Sequence, residues 1–295
     1  MVDRERAPAA VLVDQPPGAL RRVARLWRLY AAMDLMWLSR DLRSVITYLI
    51  SDATLAVAAV TGTVLLAERF DGIGHWSKPQ VLFMLGYGLI LNGLTDMFFN
   101  WNVSHISRRV GRGQWDHTLV QPQPIVITLL TEGFAPVSGS MALYPAVGLL
   151  AWAITHGAAR VSPGWLALLG LNLLASTAVA MAFAFLWGSL AFWAPRAAEE
   201  INSSSWRLLD GLKTFPLDGV APVLLGTLLT AVPVGFVAWY PCRALLGLDH
   251  APYALLLTPL AAAVFTGCAA WLFQKGMAQY GRTGSQRYLS FGHRR

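Results

Sequence analysis

The sequence predicts an all-α, polytopic integral membrane protein with six transmembrane helices and cytoplasmic termini, and three observations carry that prediction. Of 295 residues, 55% are hydrophobic and only 13% are charged, about half the charged share of an ordinary soluble domain. The polar residues are too few to cover a water-facing surface, and hydrophobicity this high excludes a disordered chain. Six stretches, 44–67, 80–101, 133–155, 165–193, 220–240 and 254–273, reach the roughly 20 apolar residues that a helix needs to cross the hydrocarbon core. No segment has the ten-residue alternation of an outer-membrane strand, so helices satisfy the backbone in lipid. Finally, Lys and Arg are unevenly placed. The segments 1–43, 102–124, 194–215 and 274–295 hold 8, 3, 3 and 5 of them, whereas 68–79, 156–164 and 241–253 hold 2, 1 and 1. The positive-inside rule then puts both termini in the cytoplasm.

Taken in order, residues 1–18 contain Pro8, Pro16 and Pro17 with mixed charge and no periodicity, and read as a flexible cytoplasmic leader. Residues 19–43 form an amphipathic interface helix. Val23, Leu26, Trp27, Tyr30, Met33 and Trp37 recur at three- and four-residue steps, and Arg21, Arg25 and Arg28 take the other face. Such a helix anchors, and it can also transmit force; amphipathicity alone favours the anchor. The arginines break up the only candidate for a cleavable signal, so the amino terminus is expected to stay in the mature protein. Residues 44–275 make the transmembrane domain and 276–295 a basic cytoplasmic tail.

Ionisable groups are few within the spans. Asp52, grouped with Thr47 and Ser51, lies in the first; Asp96, on one stripe with Asn92 and Asn100, lies in the second; Glu132 stands at the entry to the third. A polar lining at the inner mouth of a pathway and a static interhelical hydrogen-bond knot explain them equally well. Between the second and third spans, Val103, Ile106 and Val110 face one way and His105, Arg108, Arg109 and Arg112 the other, with Gly111 and Gly113 ending the turn. This is either a short presented helix or a solvated basic loop, and charge alone favours the loop. Pro216, Pro222, Pro233 and Pro241 bracket or interrupt the fifth span, which predicts a kinked or partly re-entrant element near the external face. Trp76, Trp101, Trp152, Trp165, Trp193, Trp239 and Tyr240 cluster near span ends as interfacial belts.

Catalytic and cofactor chemistry is not encoded. There is no GxxxxGK[ST], HExxH or GxSxG, and the glycines at 86, 88 and 93 sit in an apolar span without a following Lys, so the chain cannot hydrolyse ATP alone. Cys242 and Cys268 lie far apart with no Cys/His pairing, so neither a disulfide framework nor a metal site is expected. The net charge of +7 is first an orientation signal, and no nucleic-acid partner is expected.

Two segments carry a family resemblance. Residues 111–122, Gly-Arg-Gly-Gln-Trp-Asp-His-Thr-Leu-Val-Gln-Pro, resemble the G-x-[LW]-D-x-x-L-x-x-P segment of ABC-2 type transporter permeases, the six-span bacterial ABC exporter subunits. Residues 232–241, followed by Leu245-Leu246-Gly247, look like the P-x-x-F-x-x-x-x-P-x-x-x-L-L-G segment before the last span. Together with the hydrophobic layout, the resemblance covers roughly residues 20–280. The chain departs from the pattern at Gln121, where the family usually has Arg.

The resemblance implies a bacterial inner-membrane subunit that dimerises with itself or a sibling permease and docks on a separate cytoplasmic ABC ATPase, which carries the ATP and Mg. It makes 105–121 the coupling helix, with His105, Arg108, Arg109, Arg112 and Asp116 as candidate ATPase contacts and Glu199 and Glu200 as further ones. The leading expectation is therefore an export permease, not itself an enzyme. The alternative is an ion-coupled secondary carrier using Asp52, Asp96 and Glu132. A membrane-embedded enzyme or a plain anchor is a third reading, disfavoured by the lack of clustered His and carboxylates.

Overall fold

A computed structural model describes residues 18–99, 105–139, 143–249, 251 and 253–284, without the side chains at 48, 52, 55, 56, 59 and 60. Residues 1–17, the Asp52 side chain, Asn100, Val103 and the tail from 285 lie outside the described residues. The rest is mostly helix.

The amphipathic stretch predicted over 19–43 is helical over Ala19–Arg40, as α1. Asp41 then caps α2 (Leu42–Phe70), its carboxylate accepting the Ser44 N–H at 3.1 Å. α2 ends at Asp71, whose φ of 54° lets the chain reverse into a two-residue hairpin, β1 (Gly72–Ile73) against β2 (Trp76–Ser77). α3 (Lys78–Phe98) starts with Pro79 in its first turn and the Gln80 side chain accepting the Ser77 N–H at 2.9 Å. Three short helices follow: α4 (Ile106–Gly111), α5 (Trp115–Leu119) and α6 (Ile125–Thr131). The remaining helices are α7 (Leu143–Thr155), α8 (Pro163–Ser189, continued by a 3-10 turn, Leu190–Phe192) and α9 (Pro195–Leu212). Beyond them come α10 (Pro222–Thr230), α11 (Tyr240–Leu245) and α12 (Ala254–Thr283).

Among the described residues, three helices are long and apolar enough to cross a membrane, those at Lys78–Phe98, Pro163–Phe192 and Ala254–Thr283; a bent pair makes a fourth if it counts as one span. The protein is a helical membrane protein. Along α12, Leu256, Leu260, Val264 and Trp271 are exposed at helical spacing, as a lipid-facing side requires. α12 also runs past the predicted end at Phe273, carrying Lys275 and Arg282 on its last turns.

Two predicted spans need correction. Among the described residues of the third, 133–155, only Leu143–Thr155 are helical, thirteen residues that rise about 20 Å against a core of about 30 Å. Its first part is a turn region over 132–139 laid along the end of α3, with the Ala135 N–H donating to the Met97 carbonyl at 2.8 Å. Gly133 and Gly139 permit this approach, because a Cβ would stand 2.3 Å from the Phe99 oxygen and 2.7 Å from the Asp96 oxygen. Phe134, Ala135 and Val137 keep the mean hydropathy of this turn high, so a hydropathy search does not register the break.

The fifth predicted span, 220–240, is not continuous either. α10 and the segment Gly235–Leu245 bend by 79°, across Pro233 and a π-helical turn at Gly235–Trp239. The kink predicted from the prolines is present. Both ends of this pair meet at one end of the bundle. Asp218, before α10, bonds Arg243 on α11 and Trp76 at the head of α3, and the Trp165 indole at the head of α8 donates to the Leu245 carbonyl at 2.9 Å. Its middle reaches the centre of the bundle, where the Ser176 hydroxyl donates to the Phe236 carbonyl at 3.3 Å and pairs with the Tyr87 hydroxyl at 2.9 Å. The pair is a bent hairpin whose two ends meet at Asp218.

The chain returns along the bundle through α9. α8 and α12 run parallel, since Asn172 bonds the Leu255 carbonyl and Gly276 packs on Phe192, so the segment between them must return the chain. Glu199, early in α9, meets Arg108; Lys213, at its end, meets Asn92 of α3; Asp218 meets Trp76. α9 is polar on one side, which hides it from a hydropathy search. The main apolar core lies among α3, α7, α8 and the hairpin, and a smaller cluster of Ile106, Val110, Trp115, Phe192, Ala198 and Tyr280 sits at the end that carries α4.

Candidate functional site: the basic helix at the end of the bundle

α4 is the short presented helix that the basic stretch allowed, and its apolar side is buried: Ile106 and Val110 fill the smaller cluster. Gly188 of α8 makes room for it, for a Cβ there would stand 2.3 Å from Ile106. Gly113, at φ 69°, ends the turn and starts α5.

Its arginines divide by role. Arg108 donates through Nε to Glu199 of α9 at 3.0 Å, a half-exposed pair. Arg109 is buried at 9% exposure. Its guanidinium holds both oxygens of Glu132, at 2.9 and 3.0 Å, donates to the Thr118 hydroxyl at 3.1 Å and lies 5.8 Å from the Trp115 ring centre. Four contacts of this kind keep a desolvated guanidinium in place. Arg112 is exposed. His105 is buried edge-on to Trp206 of α9 at 6.3 Å, and the neighbouring Ser107 hydroxyl accepts from Asn202 at 3.2 Å.

The Trp and Asp of the 113–122 motif point inward. Trp115 is fully buried and its indole donates to the Met277 sulfur at 3.1 Å, while Asp116 accepts from the Tyr280 hydroxyl at 2.6 Å. Both anchors lie on α12. What the segment presents outward is Arg112, Gln114, His117, Leu119, Val120 and Gln121, with Val120 at 79% exposure. Glu200 is exposed on α9 beside the segment's neighbour Glu199.

The same end is braced by α1. The Trp27 indole donates to the Leu130 carbonyl at 3.0 Å and its ring stacks on Phe134 at 5.1 Å, and Asp34 accepts the N–H groups of Val137 at 2.8 Å and Ser138 at 3.1 Å. The Tyr30 hydroxyl is pushed up from its ordinary range by burial and by the charge of Glu132.

The polar residues assigned to a pathway separate. Glu132 belongs to the α4 clamp. Asn92 accepts from the Lys213 ammonium, which also pairs with Asp210 and is 4% exposed. Asp96 is exposed near the end of α3. Lys213 lies against Gly88 and Asn92 of α3. A second cluster was missed altogether: Asp218 accepts from the indoles of Trp76 and Trp239, the latter at 2.8 Å, and from Arg243, which lies over the Trp239 ring. Reading those tryptophans as belt residues hid the shared carboxylate.

A helical bundle with membrane-length apolar helices and a basic helix clamped at one end defines a polytopic membrane protein. The family described as ABC-2 family transporter protein matches residues 53–284, most of the chain, and the protein belongs to that family. It is thus a membrane permease of the ABC transporter type, a class that works with an ABC ATPase in the bilayer. No curated protein and no solved structure matches the chain.

Proposed function

We propose that this chain is the membrane subunit of an ATP-binding-cassette exporter, paired with a second permease copy or sibling, and that 105–121 receives the stroke of a separate ATPase. ATP and Mg belong to that ATPase. The observation that carries the reading is the clamping of one short helix to the rest of the bundle: Arg108 to α9, Arg109 to Glu132, Trp115 and Asp116 to α12. Packed elements move as rigid bodies, so a push on the exposed face of 112–121 is passed to α9 and α12 together. In this reading α2, α3, α7 with its preceding turn, α8, α9 and α12 make the six crossings, the α10–α11 hairpin is re-entrant from outside, and both termini are cytoplasmic. The ion-coupled alternative finds no support at Glu132, since Arg109 occupies both of its oxygens.

The test is a pull-down of the tagged chain from solubilised native membranes, with Arg112→Glu and Val120→Asp as the variant. Both positions are exposed, where substitutions cost little stability. Recovery of an ATP-binding-cassette ATPase with the wild type and its loss from the variant is the expected result. A wild-type chain that emerges alone, or that transports in liposomes without an ATPase, overturns the reading.

A further inference from the structure

α1 has three faces of different chemistry, and protein occupies only one. Val23, Trp27, Tyr30 and Asp34, at four- and three-residue steps, face the bundle, where Trp27 and Asp34 hold the 130–138 backbone. Leu29, Met33 and Met36 form a second stripe, exposed at 55%, 52% and 49%. Arg21, Arg25 and Arg28 form a third, exposed and without a hydrogen bond or ion pair among the described residues. Asp34, the only acidic residue of α1, is committed to the Val137 and Ser138 N–H groups, so nothing on the helix neutralises that stripe.

Apolar and cationic stripes side by side match a bilayer surface. The methionines and Leu29 sink among acyl chains, and the arginines next to them meet the phosphates, whose oxygens the guanidinium fork binds in pairs. α1 stands at the right depth for this, its Trp27 ring 5.6 Å from that of Phe98, the last residue of membrane-length α3. We infer that α1 is a recognition strap for anionic phospholipid headgroups, bound by Arg21, Arg25 and Arg28, and that the bound lipid fixes the 132–139 turn through Trp27 and Asp34. Glu132 begins that turn and pairs with Arg109, so lipid occupancy reaches α4 through three linked contacts. The inference concerns only the chain and its bilayer and does not rest on the ATPase reading.

An environment-sensitive fluorophore on Met33→Cys, in a chain with Cys268→Ser and with the buried Cys242 left in place, reads the first half. Moving the purified full chain from phosphatidylcholine vesicles to vesicles that also contain phosphatidylglycerol shifts the emission to the blue. High salt reduces the shift. Arg21→Gln, Arg25→Gln and Arg28→Gln together cut it by about threefold or more, the Lys replacements retain it, and soluble glycerol phosphate does not reproduce it. A spin label on Ser138→Cys reads the second half: phosphatidylglycerol immobilises it in the wild type and not in Asp34→Asn. Emission that ignores phosphatidylglycerol, or a shift that survives the triple Gln change, overturns lipid recognition by the stripe. A triple Gln variant that keeps the shift but no longer recovers a protein partner assigns the stripe to that partner instead. A label at 138 that ignores the lipid overturns the strap.

Discussion

Arg109 grips Glu132 through both of its terminal nitrogens, at 2.9 and 3.0 Å, and thereby ties the basic helix α4 to the turn that α1 braces from the other side. A guanidinium held this way cannot serve as an exposed contact, although its place in a run of arginines suggests one. The pair's worth lies in not being broken: removing one partner leaves the other charge desolvated.

Arg109→Gln should therefore destabilise the protein more than any change at Arg112. Removing one partner of a fully buried pair costs about 3–5 kcal/mol. Water reaches Glu132, whose side chain is 28% exposed, so about 2 kcal/mol is the expected loss. Thermal unfolding in detergent measures it, and an Arg109→Gln midpoint equal to that of Arg112→Gln contradicts the clamp.

The seam between α3 and α7 depends on Gly86, where a Cβ would stand 2.9 Å from the Leu150 backbone nitrogen. Backbone cannot yield as a side chain does. Gly86→Ala should cost about 1–3 kcal/mol through forced separation of the helices, whereas Gly148→Ala, with nothing within 4 Å of the added carbon, should change stability by less than about 0.5 kcal/mol. Unfolding midpoints of the two variants, compared in one detergent, decide the matter.

Asp218 joins the head of α3 to the returning arm of the hairpin by accepting from Trp76, Trp239 and Arg243. Asp218→Ala strands two indole N–H groups and a guanidinium, at a cost of about 2–4 kcal/mol. The hairpin should then loosen, exposing Cys242, which is fully buried beside Arg243. In a Cys268→Ser chain, a membrane-impermeant maleimide should label Asp218→Ala and not the parent. Equal labelling would mean that the cluster does not hold the hairpin.

How much of this is legible in the sequence depends on where each residue's partner lies. α1, α2, α3, α8 and α12 follow from periodicity and hydropathy, because those signals are local. The hairpin's kink is written in Pro222, Pro233 and Pro241. The return of the chain through α9 is not, since Ser203, Ser204, Arg207 and Asp210 give it the polarity of a loop, and only its contacts with α3 reveal its course. At the α4 site the motif residues were found, but Trp115 and Asp116 reach Met277 and Tyr280 more than 160 positions away. Spacing along the chain says nothing about such pairs.

Asp41 supplies a pH dependence whose sign follows from its role as the cap of α2. Hydrogen bonds from the Ser44 hydroxyl and backbone N–H hold its carboxyl below the usual carboxylate range. A carboxyl lowered on folding contributes stability above its unfolded pKa, and that contribution disappears as the pH falls through the lowered folded value. The first turn of α2 should fray on acidification and be firm at neutral pH. Amide hydrogen exchange at Ser44 and Val45, corrected for intrinsic rates, should show protection lost in acid for the wild type and pH-independent protection in Asp41→Ser, whose hydroxyl caps without titrating.

Arg108 and Glu199 allow an internal partner to be told from an external one. Both were expected to meet the ATPase, yet they meet each other at 3.0 Å with 34% and 27% of their side chains exposed. A pair this open contributes only about 0.5–1 kcal/mol to stability, so its importance would lie in carrying displacement from α4 to α9. Arg108→Glu alone sets two carboxylates against each other and should lower ATPase-coupled transport several-fold with little change in unfolding midpoint. Exchanging the charges, Arg108→Glu with Glu199→Arg, restores the attraction within the chain while reversing both charges toward any partner. Recovery of transport in the exchanged chain assigns the pair to internal transmission; continued loss, with wild-type stability, assigns both residues to the ATPase surface.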